Sequence, residues 1–344
     1  MSDDTAIEED EIELPPSTVP STCRVQVRRF EDGELAEMFG TLIGHYIHAF
    51  GRMLELGTLD GVTVAPGAAY AEAARTLDRG HGDLPPYTPS DGHAVGIAMT
   101  VPVIRDGAVK SHIVLNADYL IGLINGDTGL SDLALHTMGH ECCHVDATAK
   151  FERAFPGRLL GKHKSMSSWL AWHVATMVWD EYIVTRTCAR WGADQTEGYE
   201  DTFLSALAEA RPKVNDAIRV HLAGGPPFPM IQVANTEYAH LMKFSAYHLG
   251  NLDGFKIAPA DRPRTAQALD GHWFEPYFKR LHEALRGIAK DNGRWGSDAP
   301  FIALADLHQD LVRLGGIAYY ELPGRRYNFL WPPYVPADAP VDDD

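Results

Sequence analysis

Basic residues are scarce in this chain, and so are cysteines and long apolar runs. Thirty Lys and Arg face 47 Asp and Glu, for a formal net charge of −17. A nucleic-acid binder carries a basic patch or stripe; no segment here has one, and no nucleic-acid partner is expected. Four cysteines in 344 residues, Cys23, Cys142, Cys143 and Cys188, are too few for a disulfide framework. No uninterrupted apolar run is long enough for a bilayer span, and no basic, apolar leader opens the chain. No membrane partner is therefore expected, and the expected address is the cytoplasm.

The acidic excess sits largely at the two ends. Seven acidic residues and no Lys or Arg fall in 1–20, and four more fall in 332–344. Setting those 11 aside leaves 36 acidic against 30 basic side chains. Both ends are rich in proline and poor in apolar residues, so 1–22 and 332–344 are expected to be disordered acidic tails. The whole chain is 45% hydrophobic, enough for one large domain or two smaller ones.

Periodicity predicts the elements. Residues 31–57 read as an amphipathic helix ended by Gly57, "GVTVA" at 61–65 as a strand, and 69–78 as a helix. "GHAVGIAMTVPVI" and "AVKSHIVLN" flank Asp106-Gly107 and predict a hairpin. A helix follows with Ser131 as N-cap, then a second helix over 166–191. Further helices are expected at 199–222 (kinked or divided at Pro212), 235–249, 273–290 and 302–314, with Pro/Gly-rich joints at 224–229 and 259–264. The class expected is α+β, a small mixed sheet followed by a mostly helical half.

The chemistry concentrates in "HTMGHECCH", 136–144. Each helical residue advances about 100°, so His144 lies about 40° from His140 and one turn on, giving two imidazoles on one face for a zinc ion. Glu141, about 100° away, lies beside the metal, where a general base can take a proton from a metal-bound water. Cys142 joins Leu135, Met138 and Val145 on the packing face; Cys143 lies nearer the site. His136 is about 12 Å along the axis from His144, too far to share one ion with bonds of about 2.1 Å. It is expected to be a rim or second-shell residue, or polar surface.

A catalytic zinc needs one more protein ligand. On the second helix Glu181 falls in an apolar stripe with Leu170, Val174, Met177, Val178, Val184 and Cys188, where an unpaired carboxylate is costly. Glu181 is the expected third ligand to one Zn2+ per chain. Asp180, on a polar flank, is the fallback or a second-shell group.

"HECCH", followed 37 positions after its last histidine by the glutamate of "WDEYIVTRTCAR", resembles the zincin metallopeptidases, and more narrowly the gluzincin type. The resemblance covers roughly 93–191. It implies zinc-dependent hydrolysis of a peptide bond, a peptide or protein substrate, and an edge strand before the motif helix that binds it by strand addition. His112, Ile113, Val114, Leu115 and Asn116 of "KSHIVLNADYL" are in the expected place. It also implies a downstream His or Tyr for the oxyanion. No residue is a clear match; Tyr238, His240 and Tyr247 are candidates. On this reading 23–194 is a zincin-like metal-binding domain and 195–331 a helical region packed on it. Two other classes stay open: a non-catalytic sensor or regulator on the same scaffold, and a purely structural metal.

Overall fold

The computed structural model describes residues 14–80, 96–161, 163, 165–320 and 328–330. Four strands form one mixed sheet: β1 (Val25–Val27), β2 (Leu59–Ala65), β3 (Ala98–Arg105) and β4 (Ala108–Asn116). Their order is β1-β2-β4-β3. The first two pairings are parallel; β3 and β4 are antiparallel, with Arg105 opposite Ala108 across the Asp106-Gly107 turn. Both turn residues take positive φ, the backbone such a tight hairpin turn requires.

Helix α1 (Gly33–Phe50) separates β1 from β2, and α2 (Gly67–Arg75) follows β2. The short α3 (Gly122–Asn125) leads into the motif helix α4 (Thr128–Ala154), and α5 (Met166–Cys188) returns beside it. Seven residues then give way to a helical half: α6 (Thr196–Leu222), α7 (Pro227–Phe255), α8 (Pro263–Leu269), α9 (Glu275–Lys290) and α10 (Ala299–Leu314). A small antiparallel pair, β5 (Ala318–Tyr320) and β6 (Asn328–Leu330), follows. The coarse class is α+β, as the periodicity predicts.

Alternation along the strands sorts side chains to two faces of the sheet. Val62, Val64, Ile113 and Leu115 join the main core with Phe39 and Ile43 of α1 and Met138 and Cys142 of α4. Val101, Val114 and Ala65 face the other way, onto Tyr70, Ala73 and Ala74 of α2. The main core does not stop at residue 195. It continues through Phe203, Leu241, Phe278 and Phe301, so the helical half shares its interior with the site helices.

The structure moves several sequence boundaries. The motif helix starts one turn before Ser131: Asp127 caps it, its Oδ1 accepting Leu130 N–H at 3.0 Å, while Ser131 Oγ donates to Gly122 O at 2.6 Å. Helix α6 runs unbroken through Pro212. Helix α7 begins inside the expected 224–229 joint, because Pro227 sits in a first turn whose N–H groups have no partner within the helix anyway. Residues 14–22, expected to belong to a disordered tail, are tied to the end of α1. Thr18 Oγ1 donates to Leu54 O at 2.6 Å and accepts Leu56 N–H at 2.9 Å. Residues 1–13, 81–95 and 331–344 lie outside the description, and with them the start of the expected hairpin and the whole C-terminal tail.

Aromatic rings lock the site helices together. Phe151 of α4 and Phe155 at its C-cap, Trp172 and Trp179 of α5, Trp295, and Phe301 of α10 stack and edge-pack with centroids 5.1–6.4 Å apart. Phe301, fully buried, touches the other five. Phe301→Ala is expected to cost about 3–5 kcal/mol of unfolding free energy, read by urea denaturation. On the same helix, fully buried His308 donates its Nε2 proton to Asn235 O at 3.0 Å, and burial pushes its pKa down to about 4. Between that value and about 6.5 the unfolded chain binds a proton that the folded chain refuses, so stability falls as pH drops through this window. In that window His308→Gln should flatten the urea-stability slope by up to about 1.4 kcal/mol per pH unit.

Candidate metal centre

The sequence places three functional side chains on α4 and two on α5, and the fold brings them together. His140 and His144 leave the same face of α4 one turn apart, with Nε2 atoms 3.1 Å from each other. Glu181 of α5 aims Oε2 between them, 3.8 Å from His140 Nε2 and 3.6 Å from His144 Nε2. That oxygen is buried and has no hydrogen-bond partner. A buried carboxylate oxygen without a donor is costly.

These distances suit one small cation. A tetrahedral ion with bonds of about 2.1 Å holds its ligand atoms about 3.4 Å apart, and the three separations straddle that value. The far sides of both imidazoles are held as well. His144 Nδ1 lies 2.8 Å from Asp180 Oδ2, and His140 Nδ1 lies 3.8 Å from Cys188 Sγ. A metal-binding histidine characteristically gives its other ring N–H to such an acceptor, which fixes ring and tautomer. Asp180 is therefore placed behind His144 and Glu181 in front of it.

Glu141 is 5% exposed, and one of its carboxylate oxygens lies within 4.8 Å of a ring nitrogen of both His140 and His144. Its Oε2 accepts a 2.8 Å hydrogen bond from Thr100 Oγ1 of β3, which also donates to the Glu141 backbone carbonyl at 3.0 Å. Burial raises its pKa against the lowering pull of His144, His140 and Thr100. A carboxyl group moved upward is better matched to taking a proton near neutral pH. Burial opposes a charged His144, yet the Asp180 carboxylate, with Glu181 and Glu141, holds its pKa up at about 10. The pocket thus favours positive charge at His144. Cys188 is drawn well below the usual thiol range by a hydrogen bond from Cys143.

The helical half closes the site. Tyr247 of α7 stacks flat against His140, with centroids 6.0 Å apart and planes 5° from parallel, and its hydroxyl hydrogen-bonds the Glu181 carboxylate. Tyr199 of α6 stacks on Tyr247 at 5.3 Å. Of the oxyanion candidates only Tyr247 reaches the cluster. Tyr238 lies nine residues back, about 180° around the helix, and packs against Trp273. His240 shares the Tyr247 face but lies about 10 Å down the axis, beside Phe244.

Two further expectations are corrected. His136 is neither rim nor surface: it is 4% exposed, with Nδ1 3.1 Å from Trp191 O and Nε2 3.1 Å from the Tyr199 hydroxyl. Strand β4, expected to present His112–Asn116 to a peptide, is an internal strand paired with β2 and β3, so neither edge is open. His112 is locked between Asp60 Oδ2 at 3.1 Å and Thr63 Oγ1 at 2.9 Å, on the sheet face away from α4. Ile113, Val114 and Leu115 are fully buried.

Sequence reasoning missed Thr100, Tyr199 and Trp191. Hairpin register relative to α4 would have been needed to find Thr100. Tyr199 and Trp191 carry no spacing signal, because their role depends on how α6 packs.

No family model matches the chain, no curated protein is matched by it, and no solved structure matches its fold. No helix among the described residues is long and apolar enough to cross a membrane.

If Asp180 orients His144 for ligation, Asp180→Ala should weaken zinc binding about 10–100-fold without unfolding the chain. Competition with a chromophoric chelator, alongside circular dichroism, reads both.

Proposed function

We propose that this protein is a zinc-dependent hydrolase of peptide bonds, of the gluzincin type that its motif resembles, with His140, His144 and Glu181 holding one Zn2+. The observation that carries the reading is Glu181 Oε2, buried, without a donor, and aimed between two imidazole nitrogens. When bound, zinc would bring the pKa of a water toward neutrality and polarise a scissile carbonyl.

The chain's own residues supply the rest. Glu141 Oε2, held by Thr100, takes the proton of the attacking water and passes it to the leaving amine. Asp180 keeps the Nδ1 proton of His144 in place, so that Nε2 faces the site. Tyr247 steadies the Glu181 carboxylate and shields His140 from solvent.

Substrate reaches the site along β3. It is an edge strand of the sheet, and its antiparallel partner takes up only alternate residues. Asn116 N–H donates to Ile97 O, so Thr100 and Pro102 turn their backbone groups away from β4. Pro102, which has no N–H to offer, fits that outer position. Arg79 already takes up Pro102 O and Ile104 N–H on that outer edge, so an extended peptide would be added at Ala98–Thr100, next to the Thr100–Glu141 pair.

On this reading Glu141, hydrogen-bonded to Thr100, is the base and not a fourth ligand; a purely structural ion would take four protein ligands. A sensor on the same scaffold would bind zinc and peptide without turnover. Glu141→Gln is expected to keep about one zinc per chain and lose peptide hydrolysis by about 100-fold or more, whereas His144→Ala loses the zinc. Elemental analysis and a quenched-peptide library read the two; undiminished turnover in Glu141→Gln would sink the mechanism.

A further inference from the structure

His140 has a second side. Its Nε2 belongs to the site above, but its Nδ1 faces Cys188. His136, one turn earlier on α4, completes another group. One donor atom each from His136, His140 and Cys188 lie within 4.8 Å of one another.

His136 is already set for ligation. A backbone carbonyl only accepts, so His136 Nδ1 carries the proton given to Trp191 O. Its Nε2 then holds a lone pair, met here by the Tyr199 hydroxyl. That is how an outer hydrogen bond orients a metal-binding imidazole. A second sulfur stands by: Cys143 hydrogen-bonds Cys188, and both cysteines are buried. The Asp180–Glu181 side of His140 is all oxygen and nitrogen; this side is nitrogen and sulfur.

We propose that His136, His140 and Cys188 form a second metal site, selective for thiophilic ions such as Cd2+ and Cu+, that shares His140 with the first. Sulfur and imidazole ligands select soft and borderline ions, whereas the carboxylate of the first site suits harder ones. Filling the second site replaces the His140 Nδ1–Cys188 hydrogen bond with metal bonds, moves the His140 ring proton to Nε2, and displaces the Tyr199 hydroxyl from His136. Both sites draw on one imidazole, so a thiophilic ion competes with zinc at the first. The proposal goes beyond the hydrolytic reading and does not need it to be right.

The test is titration of the metal-free full-length protein with Cd2+, followed by ultraviolet thiolate-to-cadmium charge-transfer absorption. The first site contains no sulfur, so the band reports the second alone. The expected result is a band that saturates at one equivalent of sulfur-bound cadmium. It is lost in Cys188→Ser and kept in His144→Ala. In His136→Gln its half-saturation moves by about tenfold or more, as one of the ligands is removed. No band in the wild type, a band unchanged in Cys188→Ser, or an unmoved half-saturation in His136→Gln overturns the proposal. Circular dichroism confirms folding, and His136→Gln keeps the test decisive if Cys188→Ser misfolds. Turnover unaffected by Glu141→Gln, alongside an intact band, would remove the hydrolase and leave this site standing.

Discussion

The site is organised around one carboxylate oxygen aimed between two imidazole nitrogens. Glu181 Oε2 sits 3.6–3.8 Å from two Nε2 atoms, and no hydrogen-bond donor serves it. Leaving a buried oxygen without a partner costs free energy, and a cation held by the three atoms would relieve it. Much of the surrounding architecture can be read as serving that constraint. Asp180 sits behind His144 and Cys188 behind His140, so that both rings turn the same nitrogen inward. Thr100 holds the other glutamate, Glu141, by its Oε2 beside the two imidazoles.

Holding that arrangement requires α4 and α5 to keep a fixed axial offset, since His144 and Glu181 belong to different helices. Neither helix fixes the offset alone. The aromatic cluster centred on Phe301 does so from outside the motif region, and the core runs without a break from the sheet into α10. The helical half is therefore part of the site's support, even though it contributes no metal-facing nitrogen or carboxylate to the first trio. Its Tyr247 and Tyr199 supply the roof.

Angular reasoning on single helices found what a single helix determines. His140 and His144 share a face, Cys142 packs into the core, and Glu181 lies among apolar neighbours, because a 3.6-residue repeat fixes those relations within one element. What it lost were relations between elements. Strand order is invisible to periodicity, so β4 looked like an edge when it is internal, and Thr100 of β3 went unseen. His136 looked superfluous because only its distance to His144 was weighed; its partners, Trp191 and Tyr199, come from the end of α5 and the start of α6. Tyr238, His240 and Tyr247 looked alike in sequence, and only the direction from which α7 packs separates them. Asp127 rather than Ser131 caps α4 because a short helix ahead of it occupies Ser131.

The roof also explains why so few charges suffice. Coulombic interactions strengthen as water leaves, and the stacked face of Tyr247 against His140 excludes it on one side. Burial raises the Glu141 pKa and suits it to accept a proton, while Glu181 faces the two imidazoles. Two carboxylates in one pocket thus take different duties. The difference between them is local: Glu181 meets imidazole nitrogens and a phenol, and Glu141 meets a threonine hydroxyl from the strand where a substrate backbone would lie. A sheet edge, a motif helix and a helical roof have to coincide for that division of labour. That requirement ties residues after 195 to chemistry encoded before it.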